Sequence, residues 1–324
     1  MTKPDQFRRG CVLAAAMVLG SLTLCGYGED GMNHKKQQVV RHTRGDGRWF
    51  PGDKASLSRV INEYIHAAQV SPIKERIIGA ISPHAGYIYS GPIVGYVFRV
   101  IKEQAARGLA PDTVVILGLG HKGGYRGVAL MDGDAIRSPL GDTELDKDAA
   151  ALLTSNRPAI YLDYAPHNGE HSAENQVPFV QSVLPGARLV LALIGDQDPE
   201  TLNDLLSGLE ELSKKREMLV IASSDMLHDP DYNLVTRTDR ASLEKVATLQ
   251  TKELLKRWSY ASQIFCGMSA IAVTMRFVEK QGCREGIVLR YRNSGDDYPE
   301  SRGNWVVGYG AVVFPLPATP AAAK

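Results

Sequence analysis

Four short apolar runs constrain this chain more than anything else in it: RIIGAIS (76–82), TVVILG (113–118), RLVLALIG (188–195) and MLVIAS (218–223). A strand with one wet face alternates apolar and polar residues. A nearly unbroken run of this length fits a strand buried on both faces, which requires helices packed on both sides of the sheet. The intervening segments supply them. Ile93, Val94, Val97, Val100 and Ile101 recur at helical spacing, as do Leu202, Leu205, Leu206, Leu209 and Leu212 along 199–213. A third helix is read over 267–281, carrying Ile271, Met275 and Val278. IVLRYR (287–292) and WVVGYGAVVF (305–314) read as two further strands. Strand, helix and strand in succession imply right-handed crossovers. The expectation is an α/β chain with a single three-layer α/β/α domain over 46–316, built on a central sheet that is mostly parallel or mixed.

Open α/β sheets bind ligands beyond the carboxyl ends of their strands. His84 follows the first run by two residues, His121 follows the second by three, and Ser224, Asp225 and His228 follow the fourth. Separate strands thus deliver polar, metal-competent side chains to one sheet edge.

His84 sits in PHAGYIYSG, where Pro83 fixes φ and Gly86 permits a tight turn, so the loop presents its imidazole rigidly. The competing role is a core histidine bonded to backbone. His121 stands among glycines in ILGLGHKGG, and its competing role is a solvated surface turn. Cys266, in FCGMSAIAV, precedes the helix at 267–281, whose N-terminus would favour the thiolate. The alternative is a disulfide with Cys283, but the helix between them would separate the two by about 20 Å, whereas bridged Cα atoms lie within about 7 Å. Two histidines and a cysteine suit zinc, iron or copper with one position left open, the habit of a catalytic site.

Asp225 and His228 in SSDMLHD, and Glu170 and His171 in GEHSAENQVPF, form a second group. A carboxylate beside an imidazole can orient it or share general acid/base work with it. The competing reading is turn or helix capping by Ser223, Ser224 or Asp225, with Glu174 serving a helix's first turn. Tyr87, Tyr89, Trp49 and Phe50 could line a pocket, although core packing is the ordinary fate of most such residues.

With 37 basic and 36 acidic side chains the formal charge is +1, and no Lys/Arg cluster interleaves with aromatics. Nucleic acid is therefore not an expected partner. Residues 1–25 place Arg8 and Arg9 before CVLAAAMVLGSLTL and Cys25, the pattern of a signal peptide or a lipoprotein signal. The run is shorter than the roughly 20 residues of a spanning helix. An exported protein is expected, periplasmic or lipid-anchored, touching a membrane only through such an N-terminal anchor. Residues 26–45 read as a linker and 317–324 as a tail; no internal repeat is visible.

Eight stretches, in order, resemble the Memo family, whose bacterial and archaeal members include AmmeMemoRadiSam system protein B. They are RWFPGD (48–53), ISPHAGYIYSG (81–91), ILGLGH (116–121), IRSPLGDTELD (136–146), EHSAENQVPF (170–179), SSDMLH (223–228), FCGMSAIAV (265–273) and YRNSGD (291–296). The resemblance implies a fold like that of class III extradiol dioxygenases, non-haem iron enzymes that open catechol-type rings. It places metal ligands on His84, His121 and Cys266, further pocket residues on Asp225 and His228, and His171 in the family's EHS motif. Cysteine there replaces a histidine or carboxylate of the usual facial triad. The family usually has Pro-Ser-His at the second ligand, whereas this chain has Leu119, Gly120 and His121. An export signal is a second departure. The resemblance also implies a functional link to a radical-SAM protein, although no cluster motif occurs in this chain.

The sequence therefore leads to an exported metalloprotein binding iron, or alternatively copper or zinc, through His84, His121 and Cys266. It would carry out a dioxygenase-like or redox reaction on a small molecule, with Asp225, His228 and His171 positioning substrate or moving protons. A non-catalytic metal-binding or partner-binding protein and a zinc-dependent hydrolase, with Asp225 or Glu170 activating water, are the competing functions.

Overall fold

The computed structural model of the protein describes residues 38–317. The expected leader at 1–25, with the Cys25 question, lies outside the described residues, as do 26–37 of the expected linker and 318–324 of the tail. In chain order the strands are β1 (Val40–His42), β2 (Arg76–Ser82), β3 (Thr113–Leu119), β4 (Val128–Leu130), β5 (Ala135–Ser138), β6 (Gly141–Glu144), β7 (Ile160–Leu162), β8 (Arg188–Ile194), β9 (Met218–Ser223), β10 (His228–Asp229), β11 (Ile287–Asn293) and β12 (Val306–Leu316). The α-helices are α1 (Lys54–Ala67), α2 (Tyr87–Ala105), α3 (Lys147–Thr154), α4 (Val177–Val183), α5 (Pro199–Ser213), α6 (Tyr232–Ala247), α7 (Thr251–Arg257), α8 (Met268–Lys280) and α9 (Ser294–Asp297).

The main sheet runs β10-β12-β2-β9-β3-β8-β4-β7, with β11 on the other side of β12's ladder. Its heart, β2-β9-β3-β8, is parallel throughout, and β12 and β4 flank it antiparallel, so the sheet is mixed. All four apolar runs are these central strands. Their alternate residues face opposite sides: Val115 and Leu117 join one core with Leu205 and Leu209 of α5 and Ile271 and Met275 of α8. Val114 and Ile116 join the other with Leu57 and Ile61 of α1 and Val94 and Val97 of α2. Each fully buried aliphatic side chain contributes about 1.5–3 kcal/mol relative to exposure, which is why unbroken apolar runs select this place in the sheet. The three-layer α/β/α expectation therefore holds.

The helices on the second face pack closely because α2 carries glycine where α1 presses on it. A Cβ on Gly95 would stand 2.5 Å from the Tyr64 carbonyl oxygen. At its start α1 is capped by Asp53, whose carboxylate accepts from Ser56 N–H at 2.9 Å.

The expected linker needs one correction. Its last part is folded: β1 pairs in parallel with β5, Val40 opposite Ala135, in a small sheet completed by β6. Thr43 is buried, and the Arg44 N–H donates to the Glu174 carboxylate at 2.7 Å. Two half-buried residues and an exposed one carry no readable period, and the partner strand that orders them lies 95 positions away.

Candidate metal centre

His84, His121 and Asp225 sit just beyond the ends of the central strands β2, β3 and β9. After β2, the turn at Pro83 places His84 at 1 % exposure. Neighbouring loops hold this turn from several sides. Asp225 Oδ1 accepts from the His84 and Ala85 N–H groups at 2.8 and 3.2 Å. Asn175 Nδ2 donates to the His84 carbonyl at 2.6 Å, and Gln176 Nε2 donates to the Pro83 carbonyl at 2.8 Å. The ring's Nδ1 faces Ser223 Oγ at 3.5 Å, and its Nε2 lies 3.4 Å from Cys266 Sγ.

His121 is reached from β3. Glu170 fixes it twice: one carboxylate oxygen accepts from the His121 N–H at 2.7 Å, and the other stands 2.9 Å from His121 Nδ1. A carboxylate on Nδ1 leaves Nε2 as the ligand atom, the arrangement by which proteins orient metal-binding imidazoles. Glu170 also accepts from the His171 and Ser172 N–H groups, both at 2.8 Å. Both of its oxygens are thus committed to positioning.

Cys266 comes from the loop before α8. Its N–H donates to the Asp225 carbonyl at 3.2 Å, and Ser224 Oγ lies 3.5 Å from its sulfur while accepting from Gly267 N–H at 2.9 Å. Cys266 and Cys283 are both free thiols; Cys283 is buried, donating to the Glu285 carbonyl at 3.2 Å.

Ligand atoms of His84, His121 and Cys266 all lie within 4.8 Å of one another. In a tetrahedral site with bonds of about 2.0–2.3 Å, a nitrogen and a sulfur stand about 3.5 Å apart. The 3.4 Å between His84 Nε2 and Cys266 Sγ matches that spacing. His121, Glu170 and His171 form a second group within the same limit, but the first offers a soft sulfur with two imidazoles converging on one point. The donors present therefore fit a metal ion.

Burial lowers the pKa of His84, against the raising effect of Asp225, and so favours the neutral, metal-binding imidazole. Burial, with His84 and His121 close by, takes His171 down to about 3. For His121 burial also works against protonation, but the Glu170 hydrogen bond outweighs it and the pKa rises. Glu170 is held well below the usual carboxylate range by the same bond, despite its burial. The expectation that α8 would favour a Cys266 thiolate needs correcting. Burial and the Asp225 carboxylate push the thiol up to about 12, so a cation at the centre, not the helix, must supply the charge that stabilises the thiolate.

The remaining predicted residues line a cavity of about 600 Å³ over this centre, which His84, His121, His171, Asp225 and His228 enter together. Asp225 binds the His84 turn rather than capping its own. His228, on β10, has a buried Nε2 with no hydrogen-bond partner, and burial lowers its pKa. Of the four aromatics considered from sequence, Trp49 and Tyr89 line the cavity, whereas Tyr87 and Phe50 belong to the core. Tyr298, Trp305 and Tyr309 complete the aromatic wall, and sequence spacing gave no sign of them. Nor did it show that Trp49 stacks on His171, with centroids 3.8 Å apart and planes within 3°, while His171 stacks in turn on His121 at 4.6 Å.

The departure at Leu119-Gly120 has a structural counterpart. A Cβ on Gly120 would meet the Tyr125 ring and hydroxyl at 2.6 Å. The loop is tied instead by Ser172, whose Oγ accepts from Leu119 N–H at 3.0 Å and donates to the Leu119 carbonyl at 2.6 Å. No helix among the described residues is long and apolar enough to cross a membrane.

Comparison with known proteins matches residues 41–313 to the model of the Memo-like protein family. A MEMO1 family protein of Nitrosopumilus maritimus is 32% identical over 274 residues, covering 83% of this chain and 97% of its own. Another, of Ignicoccus hospitalis, is 31% identical over 290 residues, covering 86% and 100%. A third, of Archaeoglobus fulgidus, is 32% identical over 279 residues, covering 85% and 99%. Among solved structures, an uncharacterized protein of Escherichia coli K12 superposes with a TM-score of 0.42 at 12% identity, covering 74% of this chain and 99% of its own. The family match spans the strand-end loops that bring His84, His121 and Cys266 together, and the chain belongs to the Memo family.

Proposed function

We propose that this protein is a mononuclear metalloprotein in which His84, His121 and Cys266 hold iron, with copper as the alternative, and that the cavity above them binds a small organic molecule for a redox or dioxygenase-like reaction. The observation that carries the reading is the convergence of two imidazoles and one sulfur within 4.8 Å, with both imidazoles lining an aromatic-walled cavity. A redox-active ion bound there supplies electron transfer or oxygen activation.

The chain's own residues perform the remaining tasks. Glu170 holds the His121 tautomer, and Asp225 fixes the His84 turn. His228 offers a neutral imidazole whose Nε2 has no protein partner, suited to accept or return a proton of a bound hydroxyl. Trp49, Tyr89 and Trp305 give a flat ligand apolar faces and exclude water. Glu170 is a poor water activator because both its oxygens are engaged. A zinc hydrolase would therefore depend on Asp225.

Anaerobic loading with Fe(II), measurement of metal stoichiometry, and oxygen uptake over a panel of catechols test the proposal. Turnover that requires both metal and catechol supports it. Stoichiometric metal without turnover favours a non-catalytic metal-binding role, and retained zinc with oxygen-independent ester cleavage favours the hydrolase. Export to the periplasm or a lipid anchor, and a functional link to a radical-SAM protein, belong to the same proposal and rest on the sequence alone.

A further inference from the structure

The centre is open on two sides. Besides the aromatic cavity, a second cavity of about 390 Å³ reaches it. His121 and His228 line both, but His84, His171 and Asp225 line only the larger, whereas Cys266 lines only the smaller. The three candidate ligands thus form a partition, with a histidine face toward one space and the sulfur toward the other.

The two spaces differ in chemistry. Trp49, Tyr89, Tyr298, Trp305 and Tyr309 wall the larger. Glycine backbone lines much of the smaller, with Gln197, Gln263, Ser269 and Lys122, and with Trp258 and Tyr260. Cys266 is itself partly exposed although its neighbours Phe265 and Gly267 are buried. Asp196, a carboxylate on this wall, is held below its usual range despite its burial by the N–H groups of Gly127 and Asp198. Its two oxygens are engaged by those N–H groups, at 2.7 and 3.0 Å, with Arg126 Nε 3.9 Å away, which leaves a passing cation to the Gln197 and Gln263 amides.

We propose that the smaller cavity is a separate hydrophilic port, through which hydrated metal ions reach Cys266 without passing through the organic-ligand cavity. A hydrated cation needs polar walls that replace its water stepwise, and the Gln197 and Gln263 amides provide them. The soft sulfur at the inner end is the first strong donor met on this route. An organic molecule and a metal ion then approach the same centre from opposite sides, and an occupied aromatic cavity does not trap the protein metal-free.

Variants that narrow one mouth at a time test this. Gln197→Trp and Gln263→Trp fill the polar port, and Asn304→Trp fills the rim of the aromatic cavity; Gln263 and Asn304 are exposed and Gln197 is half-buried. Two rates are measured on full-length protein of unchanged circular dichroism: alkylation of Cys266 by iodoacetamide, resolved by peptide mass mapping, and uptake of Co(II), followed by sulfur-to-metal absorption. The port predicts that Gln197→Trp and Gln263→Trp slow both at least tenfold and Asn304→Trp leaves both unchanged. Slowing by Asn304→Trp instead, or by none of the three, overturns it. The alkylation rate reports access to Cys266 whether or not the metal assignment holds, so failure of the port and failure of the centre are separable.

Discussion

Cys266 Sγ lies 3.4 Å from His84 Nε2, although 182 positions separate the two residues. Nothing local brings them together. The loop after β9 does so, because Asp225 accepts from the His84 N–H with its side chain and from the Cys266 N–H with its carbonyl. One residue thus sets the spacing of two candidate ligands.

Alanine at His84, His121 or Cys266 is expected to abolish stoichiometric metal binding with the fold retained, whereas Cys283→Ala retains it. Metal analysis after Fe(II) loading, with circular dichroism as the folding control, reads the outcome. Equal metal content in all four variants would refute the ligand assignment.

Glu170→Gln removes the charge that fixes the His121 tautomer. Metal affinity should fall about 10–100-fold, as for other partners of metal-bound histidines. Competition with a chelator measures it, and an unchanged affinity would mean that His121 needs no such support.

Gly120→Ser should weaken the site, because its Cβ would stand 2.6 Å from the Tyr125 ring and hydroxyl. Loss of thermal stability and of metal affinity is expected in the single variant, with partial recovery in Gly120→Ser/Tyr125→Ala. Full tolerance of the single change would show that the loop has room the geometry denies it.

Glu174 gives a pH prediction away from the candidate ligands. Burial raises this carboxyl from 4.5 to about 8, so between those values the folded chain holds a proton that the unfolded chain has released. Stability from this group is therefore full below about pH 4.5, declines as pH rises, and levels off above about 8. Glu174→Gln, which keeps an acceptor for the Arg44 N–H, should change the melting temperature little at pH 5 and raise it at pH 8.5. An offset independent of pH would contradict this.

The parts of the fold legible in the sequence are those that burial writes into composition. β2, β3, β8 and β9 are covered on both faces and so read as unbroken apolar runs. Because chemistry collects at their carboxyl ends, His84, His121 and Asp225 could be named from position. β1 could not, since two half-buried residues and an exposed one have no period and are ordered by a distant strand. Adjacency pairs Glu170 with His171, and its carboxylate does reach the His171 N–H and Nδ1 at 2.8 and 3.4 Å; that it also serves His121, 49 positions away, is not readable from adjacency. Tyr298, Trp305 and Tyr309 escaped notice because an aromatic residue near a strand looks the same whether it packs a core or walls a cavity.

X-ray absorption at the metal edge of iron-loaded protein tests the central claim most directly. The account predicts one sulfur scatterer at about 2.3 Å together with imidazole nitrogens, and loss of the sulfur in Cys266→Ala but not in Cys283→Ala. A first shell of nitrogen and oxygen alone, or a sulfur that persists in Cys266→Ala, would contradict it.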